Sequence, residues 1–365
     1  MLRRAAPLVL CVLLLLGAAA AARGQEPLPP LPPVPDTTFE DEITVSLSTV
    51  VVRAVDTWGR PILDLGPNDF RALVGGEEVP VLAVDWVTSS EPAEAPALTS
   101  ETAETAGEPE AVLAPEVAAA REGKLVVFFV QADLEKSRIS GHMRLRPHLH
   151  QMLGTLAPED LAAVVSYDSH LKLRLDFTRD LDAVRAALDR SMIFGEEPEV
   201  VVSEPVSLAR SFDAAAGRRA ASPERALEVT AKAVKSLPGE KTMIYVGWGL
   251  GRFGGGGVKM TPAFAPAMRA LKAARMAVFV LDVTSADSHD LGAGLQIAAE
   301  TTGGLYLSTF RLPSLATEIL SRTISGHYVL TLDSDRLPEG AMGALRIELR
   351  DRHRGSVLAR PISVR

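Results

Sequence analysis

The sequence predicts an α/β protein built on a doubly wound, mostly parallel sheet, with flanking β segments that form an Ig-like sandwich. Three observations predict it. From Lys124 onward, nearly continuous apolar runs alternate with segments of helical period, as expected for strands buried on both faces and wrapped by helices. Before and after that span the apolar period is two, as in strands with one solvated face. Each flanking β piece is too small to stand alone, so the two are expected to combine into one sandwich with the α/β domain inserted between them.

The chain opens with Arg3 and Arg4, an apolar run from Leu8 to Leu16, then Gly17 and an alanine tract. This is the pattern of a secretory signal peptide over residues 1–24, with cleavage expected before Gln25 because Ala22 and Gly24 are small. The apolar run is short for a membrane span, which needs ~20 residues. Cys11 lies inside the run and not at its end, which speaks against a lipoprotein. It is also the only cysteine, so the mature chain has no disulfide, thiolate nucleophile or cysteine-ligated metal. Cleavage removes three arginines (Arg3, Arg4, Arg23) and no acid, which takes the net charge from −8 to −11. Such a surface repels nucleic acid and anionic lipid. The expected location is periplasmic or secreted, with no membrane span once the signal is gone.

Residues 25–42 begin with Pro27, Pro29, Pro30, Pro32, Pro33 and Pro35, the composition of an extended tether. Residues 43–87 carry the N-terminal β piece. Ile43, Val45 and Leu47 alternate with polar residues, and Val50 to Val55 continues in β-rich composition. Asp56-Thr57-Trp58-Gly59 supplies a turn, and strands are expected over Ala72–Val74 and Val79–Trp86 around Gly75-Gly76. Residues 88–122 are rich in Ala, Pro, Thr, Ser and Glu (Glu91, Glu94, Glu101, Glu104, Glu108, Glu110), which predicts an acidic disordered linker.

The α/β domain is expected over 123–325. Lys124–Val130 is its first strand, followed by Leu145, Leu149, Met152, Leu153 and Leu156 at helical spacing, with Pro147 kinking or beginning that helix. Leu161–Tyr167 is the second strand. Leu171, Leu173, Leu175 and Phe177 alternate with Lys172, Arg174 and Asp176, which predicts a half-exposed third strand. Leu181, Val184 and Leu188 mark a helix. Ser222 as N-cap and Pro223 behind it open another, closed by Pro238-Gly239 before the strand Thr242–Val246. Thr261-Pro262 opens a further helix, then come the strand Ala277–Leu281, a helix around Leu295–Glu300 ending at Gly303-Gly304, and a short strand Leu305–Leu307. Over 326–365, Tyr328, Leu330 and Leu332, then Leu345, Ile347 and Leu349, then Val357–Val364 give the C-terminal β piece.

This order of elements resembles the bacterial exported proteins related to the von Willebrand factor A (vWA) domain, over most of residues 43–365. Pro158-Glu159-Asp160-Leu161-Ala162-Ala163-Val164-Val165-Ser166-Tyr167 is similar to the family's second strand. Asp176-Phe177-Thr178-Arg179-Asp180 is similar to the turn after its third, and Leu295–Gly304 to a late helix-to-strand segment. Gly59-Arg60-Pro61 with Asp69-Phe70 resembles the β segment that precedes the domain.

The resemblance implies a possible divalent cation (Mg, Ca or Mn) held by Asp-x-Ser-x-Ser after the first strand, completed by a threonine and an aspartate from later loops. Hard cations need several oxygens on converging loops. Here the first strand runs into Gln131-Ala132-Asp133-Leu134-Glu135-Lys136-Ser137. With Gln131 leading, the first carboxylate is lost; with Asp133 leading, Asp133, Glu135 and Ser137 keep the spacing. After Val246 stand Gly247-Trp248-Gly249 with no acid, and the middle loop offers only hydroxyls such as Ser203, Ser207 and Ser211. The site is therefore expected to be degenerate, with no metal or other cofactor bound.

Other motifs are weaker. Gly249-Leu250-Gly251-Arg252-Phe253-Gly254 has spaced glycines after a strand, but no helix opens at once as the dinucleotide fingerprint requires. A mobile rim loop is expected instead. His148 and His150 lie on different helix faces, and His289 sits in an exposed polar loop with Asp287 and Asp290. The expected function is a non-enzymatic, adhesion-type protein-interaction module that contacts a protein or envelope component. The contact candidates are Asp133, Glu135, Ser137, Trp248, Arg252 and Asp282 at the sheet edge. The alternatives are a metal-assisted hydrolase using Asp133, Glu135, Asp282 and His289, or an envelope scaffold subunit.

Overall fold

The computed structural model describes residues 47–88, 123–193, 195–254, 257–333 and 345–359. The signal peptide, the proline-rich tether, all of the acidic linker but Thr88, and the last residues of the C-terminal strand lie outside these. Strand β1 (Leu47–Val55) leads through a short 3-10 turn to β2 (Phe70–Val74), β3 (Glu77–Val79) and β4 (Val81–Thr88). The α/β segment follows, with β5 (Lys124–Gln131), α1 (Lys136–Leu153), β6 (Leu161–Tyr167), β7 (Leu171–Thr178), α2 (Leu181–Ser191), α3 (Ala214–Arg218), α4 (Pro223–Val234) and β8 (Glu240–Gly247). It continues with β9 (Arg252–Gly254), β10 (Gly257–Lys259), α5 (Phe264–Ala273), β11 (Met276–Asp282), α6 (Gly292–Thr302), β12 (Tyr306–Ser308) and α7 (Pro313–Ser325). Strands β13 (Gly326–Asp333), β14 (Leu345–Leu349) and β15 (Ser356–Ala359) end it.

The flanking strands make two small sheets, β15-β1-β13-β4 and β14-β2-β3. Each contains strands from both sides of the α/β segment; β1 pairs β13 antiparallel with Val52 opposite Tyr328, and β14 pairs β2 with Ile347 opposite Ala72. The two sheets share a core of Val50, Val52, Phe70, Tyr328, Leu330 and Ile347. The Tyr328 hydroxyl is satisfied inside it, donating to the Ile62 carbonyl at 2.9 Å and accepting from Leu65 N–H at 3.2 Å.

The main sheet has six strands in the order β12-β11-β8-β5-β6-β7, all parallel except β7. Alternate residues of the central strands feed two separate cores, so their sequence reads as an unbroken apolar run. Val127, Phe129, Tyr245 and Val278 pack under α4, α5 and α6, whereas Val126, Phe128, Ile244 and Phe279 pack under α1, α2 and α7. Local signals act where the residues place them. Ser222 Oγ accepts from Arg225 N–H at the start of α4, and Gly303 ends α6 in the left-handed conformation with φ 75°.

Three expectations are corrected, and the two places open to Pro147 are reduced to one. Strand β7 is not half-exposed, because Lys172, Arg174 and Asp176 are buried beneath residues 195–208. Lys172 Nζ bonds Asp168 at 2.6 Å and the Gly195 carbonyl at 2.8 Å, and Arg174 Nε bonds Ser166 Oγ at 2.7 Å. Asp176 accepts from Ser203 N–H, Ser207 Oγ and Leu208 N–H at 2.9, 2.6 and 2.6 Å. The loop thus supplies partners that let the charged side chains of this edge strand be buried. Pro147 lies inside α1, which begins at Lys136. Helix α5 starts at Phe264 without a side-chain cap, not at Thr261-Pro262. The expected rim loop after β8 is a hairpin of β9 and β10.

The small sheets meet the amino ends of the main strands through buried charge. Arg53 of β1 pairs with Glu240 of β8, and its Nε donates to the Thr323 carbonyl at 2.9 Å. Glu240 also lies 3.3 Å from His327 Nδ1, and Lys124 Nζ donates to the Ile324 carbonyl at 2.9 Å.

Candidate functional site

Strand order reverses direction on either side of β5. The chain runs from β5 outward through β6 and β7, then returns to lay β8, β11 and β12 on the other side. In open α/β sheets the crevice for ligands lies at the carboxyl ends of the strands flanking that switch point. Here these ends are Gln131 of β5 and Gly247 of β8.

Gln131 fills the crevice. Its Oε1 accepts from the Tyr245 hydroxyl at 2.8 Å, from Trp248 N–H at 3.0 Å and from Gly249 N–H at 3.2 Å. Its Nε2 donates to the Gly249 carbonyl at 3.0 Å. A neutral amide therefore ties the end of β5 to the loop after β8. Beneath it, His142 of α1 donates from Nε2 to the Gln131 carbonyl at 3.0 Å. Burial pushes the His142 imidazole down to about 4, although that carbonyl and the charge of Asp133 act in the opposite direction. Helix α1 approaches this closely because Gly141 has no side chain; a Cβ there would overlap the Val283 carbonyl after β11.

Asp133, Glu135 and Ser137 are brought together on the loop after β5, but around an arginine. The Arg138 guanidinium pairs with Asp133 and with Glu135 (Nε to Oε2, 3.0 Å), and Ser137 Oγ donates to Glu135. Its plane lies 3.3 Å from the ring centroid of Trp248. The two acids that could have ligated a cation thus have an internal cation, itself stacked on the aromatic ring. Arg252 stands on the exposed β9 opposite Lys259. The hairpin's base is fixed where Gly251 N–H donates to the buried carboxylate of Glu224 at 2.7 Å.

Asp282 does not belong to the rim. At 1% exposure it cannot touch a partner. Its carboxylate accepts from His289 Nε2 at 2.6 Å, the Tyr306 hydroxyl at 2.5 Å, and Thr284 N–H and Oγ1 at 2.9 and 2.8 Å. Burial acts to raise this carboxyl, but the bonds from His289, Tyr306 and Thr284 outweigh it and hold it below the usual carboxylate value. Burial and the Asp282 carboxylate together push the Tyr306 phenol well up. His289 is correspondingly not a free exposed residue. It borders a cavity of about 460 Å³ with Ser288, Asp290, Gly257 and Val258. Asp282 and His289 converge, whereas Asp133 and Glu135 are engaged by Arg138. Among the described residues no group of three or more His, Cys, Asp or Glu side chains could hold a metal ion.

Arg138, His142, Tyr245, Glu224 and Tyr306 were not legible as site residues. Only Arg138 left a signal, standing three residues after Glu135 on the first turn of α1.

The fold and site define an α/β protein with a doubly wound, mostly parallel sheet, in which the Gln131 amide at the switch point is bonded to the loop after β8. No protein-family model matches the chain, and no curated protein matches it. Among solved structures, BatB from Bacteroides thetaiotaomicron is similar at 16% identity and a TM-score of 0.37, over 56% of this chain and 98% of that one. A von Willebrand factor type A protein from Catenulispora acidiphila is similar at 9% identity and a TM-score of 0.40, over 86% of this chain and 71% of that one. The PilB minor pilin from Streptococcus sanguinis is similar at 13% identity and a TM-score of 0.37, over 56% and 62%. Likeness of this size carries no argument about function, which rests on the site itself. No helix among the described residues is long and apolar enough to cross a membrane.

Proposed function

We propose that the chain is an exported, non-enzymatic interaction module of vWA class. In this reading it contacts a protein or envelope component through the carboxyl edge of its sheet, without a divalent cation. The observation that carries it is the pair of large apolar side chains held in solvent beside the switch point. Leu134, just after β5, is 68% exposed, and Phe253, on the β9 hairpin strand, is 66% exposed. In the chain Leu134 stands between Asp133 and Glu135, the partners of Arg138, and Phe253 follows Arg252. Exposed large apolar side chains next to charged residues are the composition of a contact surface. Arg138 supports the cation-independent part of the reading, because it already pairs with both Asp133 and Glu135.

Capture from envelope extracts tests it, with the wild-type chain compared with a Leu134→Asp, Phe253→Asp variant. A macromolecule retained by the first and lost by the second supports the proposal. Retention that ignores both substitutions overturns it. The second reading, metal-assisted hydrolysis, is motivated by the Asp282–His289 pair at its cavity. Metal analysis of the purified protein, giving one tightly held ion per chain, would favour it.

A further inference from the structure

Helix α1 carries Lys136, Arg138, Arg144, Arg146 and three histidines, and no acid in its 18 residues. Two of these groups pair with carboxylates outside the helix, Arg138 with Asp133 and Glu135, and His150 with Asp189. Arg144 does not. Its Nε and Nη2 are buried and, among the described residues, have no acceptor. The side chain as a whole is half-buried, so the guanidinium lies close under the surface.

The surroundings do not supply what is missing. Arg144 Cζ lies 5.6 Å from the centroid of the Phe310 ring, just ahead of α7. That ring attracts the charge but offers no lone pair to the N–H groups. The one acid of α7, Glu318, is paired with Arg322. The next turn of α1 repeats the pattern. His148, four residues on and so on the same side of the helix, has a buried Nδ1 without a partner. Desolvated donors on a cation are costly when nothing accepts from them. Nε and Nη2 are also not an arbitrary pair. They form the edge of the planar guanidinium where two N–H bonds run parallel, which matches the two oxygens of a carboxylate or a phosphate.

We infer that Arg144 anchors an oxyanion site between α1 and the segment leading into α7. One carboxylate or phosphoryl group accepts from both nitrogens of the free edge, with His148 one turn along the helix. The edge is covered in the free protein, so binding includes a rotation of the half-buried side chain toward solvent. A cation or an apolar group would leave the donors without acceptors. Charge and the geometry of the edge therefore select the ligand.

Calorimetric titration of the full chain with inorganic phosphate and with acetate tests it. Saturable binding that weakens as chloride rises is expected for at least one of them, and the tighter one tells whether the group is phosphoryl or carboxylate. Arg144→Gln is expected to lose about tenfold or more in affinity, the scale of a lost charge-assisted bond. Arg144→Lys keeps the charge without the parallel donors and is expected to lose nearly as much. Arg146→Gln alters an exposed arginine two residues on, on another side of the helix, and is expected to bind as the wild type does. Thermal midpoints near that of the wild type, taken without anion, verify that the variants fold. Saturable binding of neither anion, full affinity in Arg144→Gln or Arg144→Lys, or an equal loss in Arg146→Gln overturns the inference.

Discussion

The guanidinium of Arg138 lies 3.3 Å from the ring centroid of Trp248 while pairing with Asp133 and Glu135. A divalent ion at this loop would have to displace a cation already stacked and bonded. We therefore expect the thermal midpoint to be the same with millimolar magnesium, calcium or manganese as with a chelator. A bound ion would stabilise the native state by about 2.7 kcal/mol at a hundredfold excess over its dissociation constant. A midpoint that rises with cation, and no longer rises in Asp133→Ala, would contradict the expectation.

Gln131 links β5 to β8 and the loop after it through four hydrogen bonds, one from Tyr245 and three with Trp248 and Gly249. Gln131→Ala leaves two backbone N–H groups and a buried phenol without an acceptor, each costing about 1–3 kcal/mol. Tyr245→Phe removes one bond with its donor, at about 1 kcal/mol. Denaturant unfolding should rank the variants in that order. The reverse ranking would show that the amide does not organise the crevice.

The His142 imidazole has a folded value of about 4 against 6.5 for a free histidine. Its folded value is the lower one, so the unfolded chain binds more protons between these pH values. The stabilisation is complete above 6.5 and is lost as pH falls toward 4, by roughly 3 kcal/mol in all. His142→Gln keeps an N–H donor toward the Gln131 carbonyl without a titrating group. Its unfolding free energy should vary less with pH across this window than that of the wild type, and parallel profiles would refute the assignment. Asp282, held below the usual carboxylate value, contributes its own acid sensitivity only at lower pH.

Gly141→Ala places a methyl group against the Val283 carbonyl between α1 and β11. Backbone cannot yield as a flexible side chain does, so a loss of about 1–3 kcal/mol is expected. Alanine at an ordinary helical glycine stabilises instead, since glycine disfavours helix by about 1 kcal/mol. The sign of the change measured in thermal or denaturant unfolding therefore decides the point.

The α/β class was legible because central parallel strands must be apolar on both faces. Lys124–Val130, Leu161–Tyr167, Thr242–Val246 and Ala277–Leu281 show this without ambiguity. Caps and stops were legible too, since Ser222-Pro223 and Gly303 act locally, through a side-chain cap on the first turn and through backbone geometry. Helix α7 was not read, because its apolar residues Ala316, Ile319, Leu320 and Ile324 are interrupted by Thr317, Thr323 and Ser321. These hydroxyls satisfy themselves by bonding back to carbonyls one turn earlier.

What only the tertiary structure decided was the fate of charge. Local sequence cannot tell a solvated carboxylate from a buried one, because the difference lies in partners distant along the chain. Lys172, Arg174 and Asp176 alternate as if they faced water, yet residues 195–208 supply their partners and bury them. Asp282 follows its strand as a rim residue would, and Tyr306, 24 positions further on, completes its enclosure. The sequence by itself determined the layers, through the periodicity of apolar residues. Tertiary contacts decided which polar groups remained available for function, because desolvation is tolerated only where the fold brings a matching donor or acceptor.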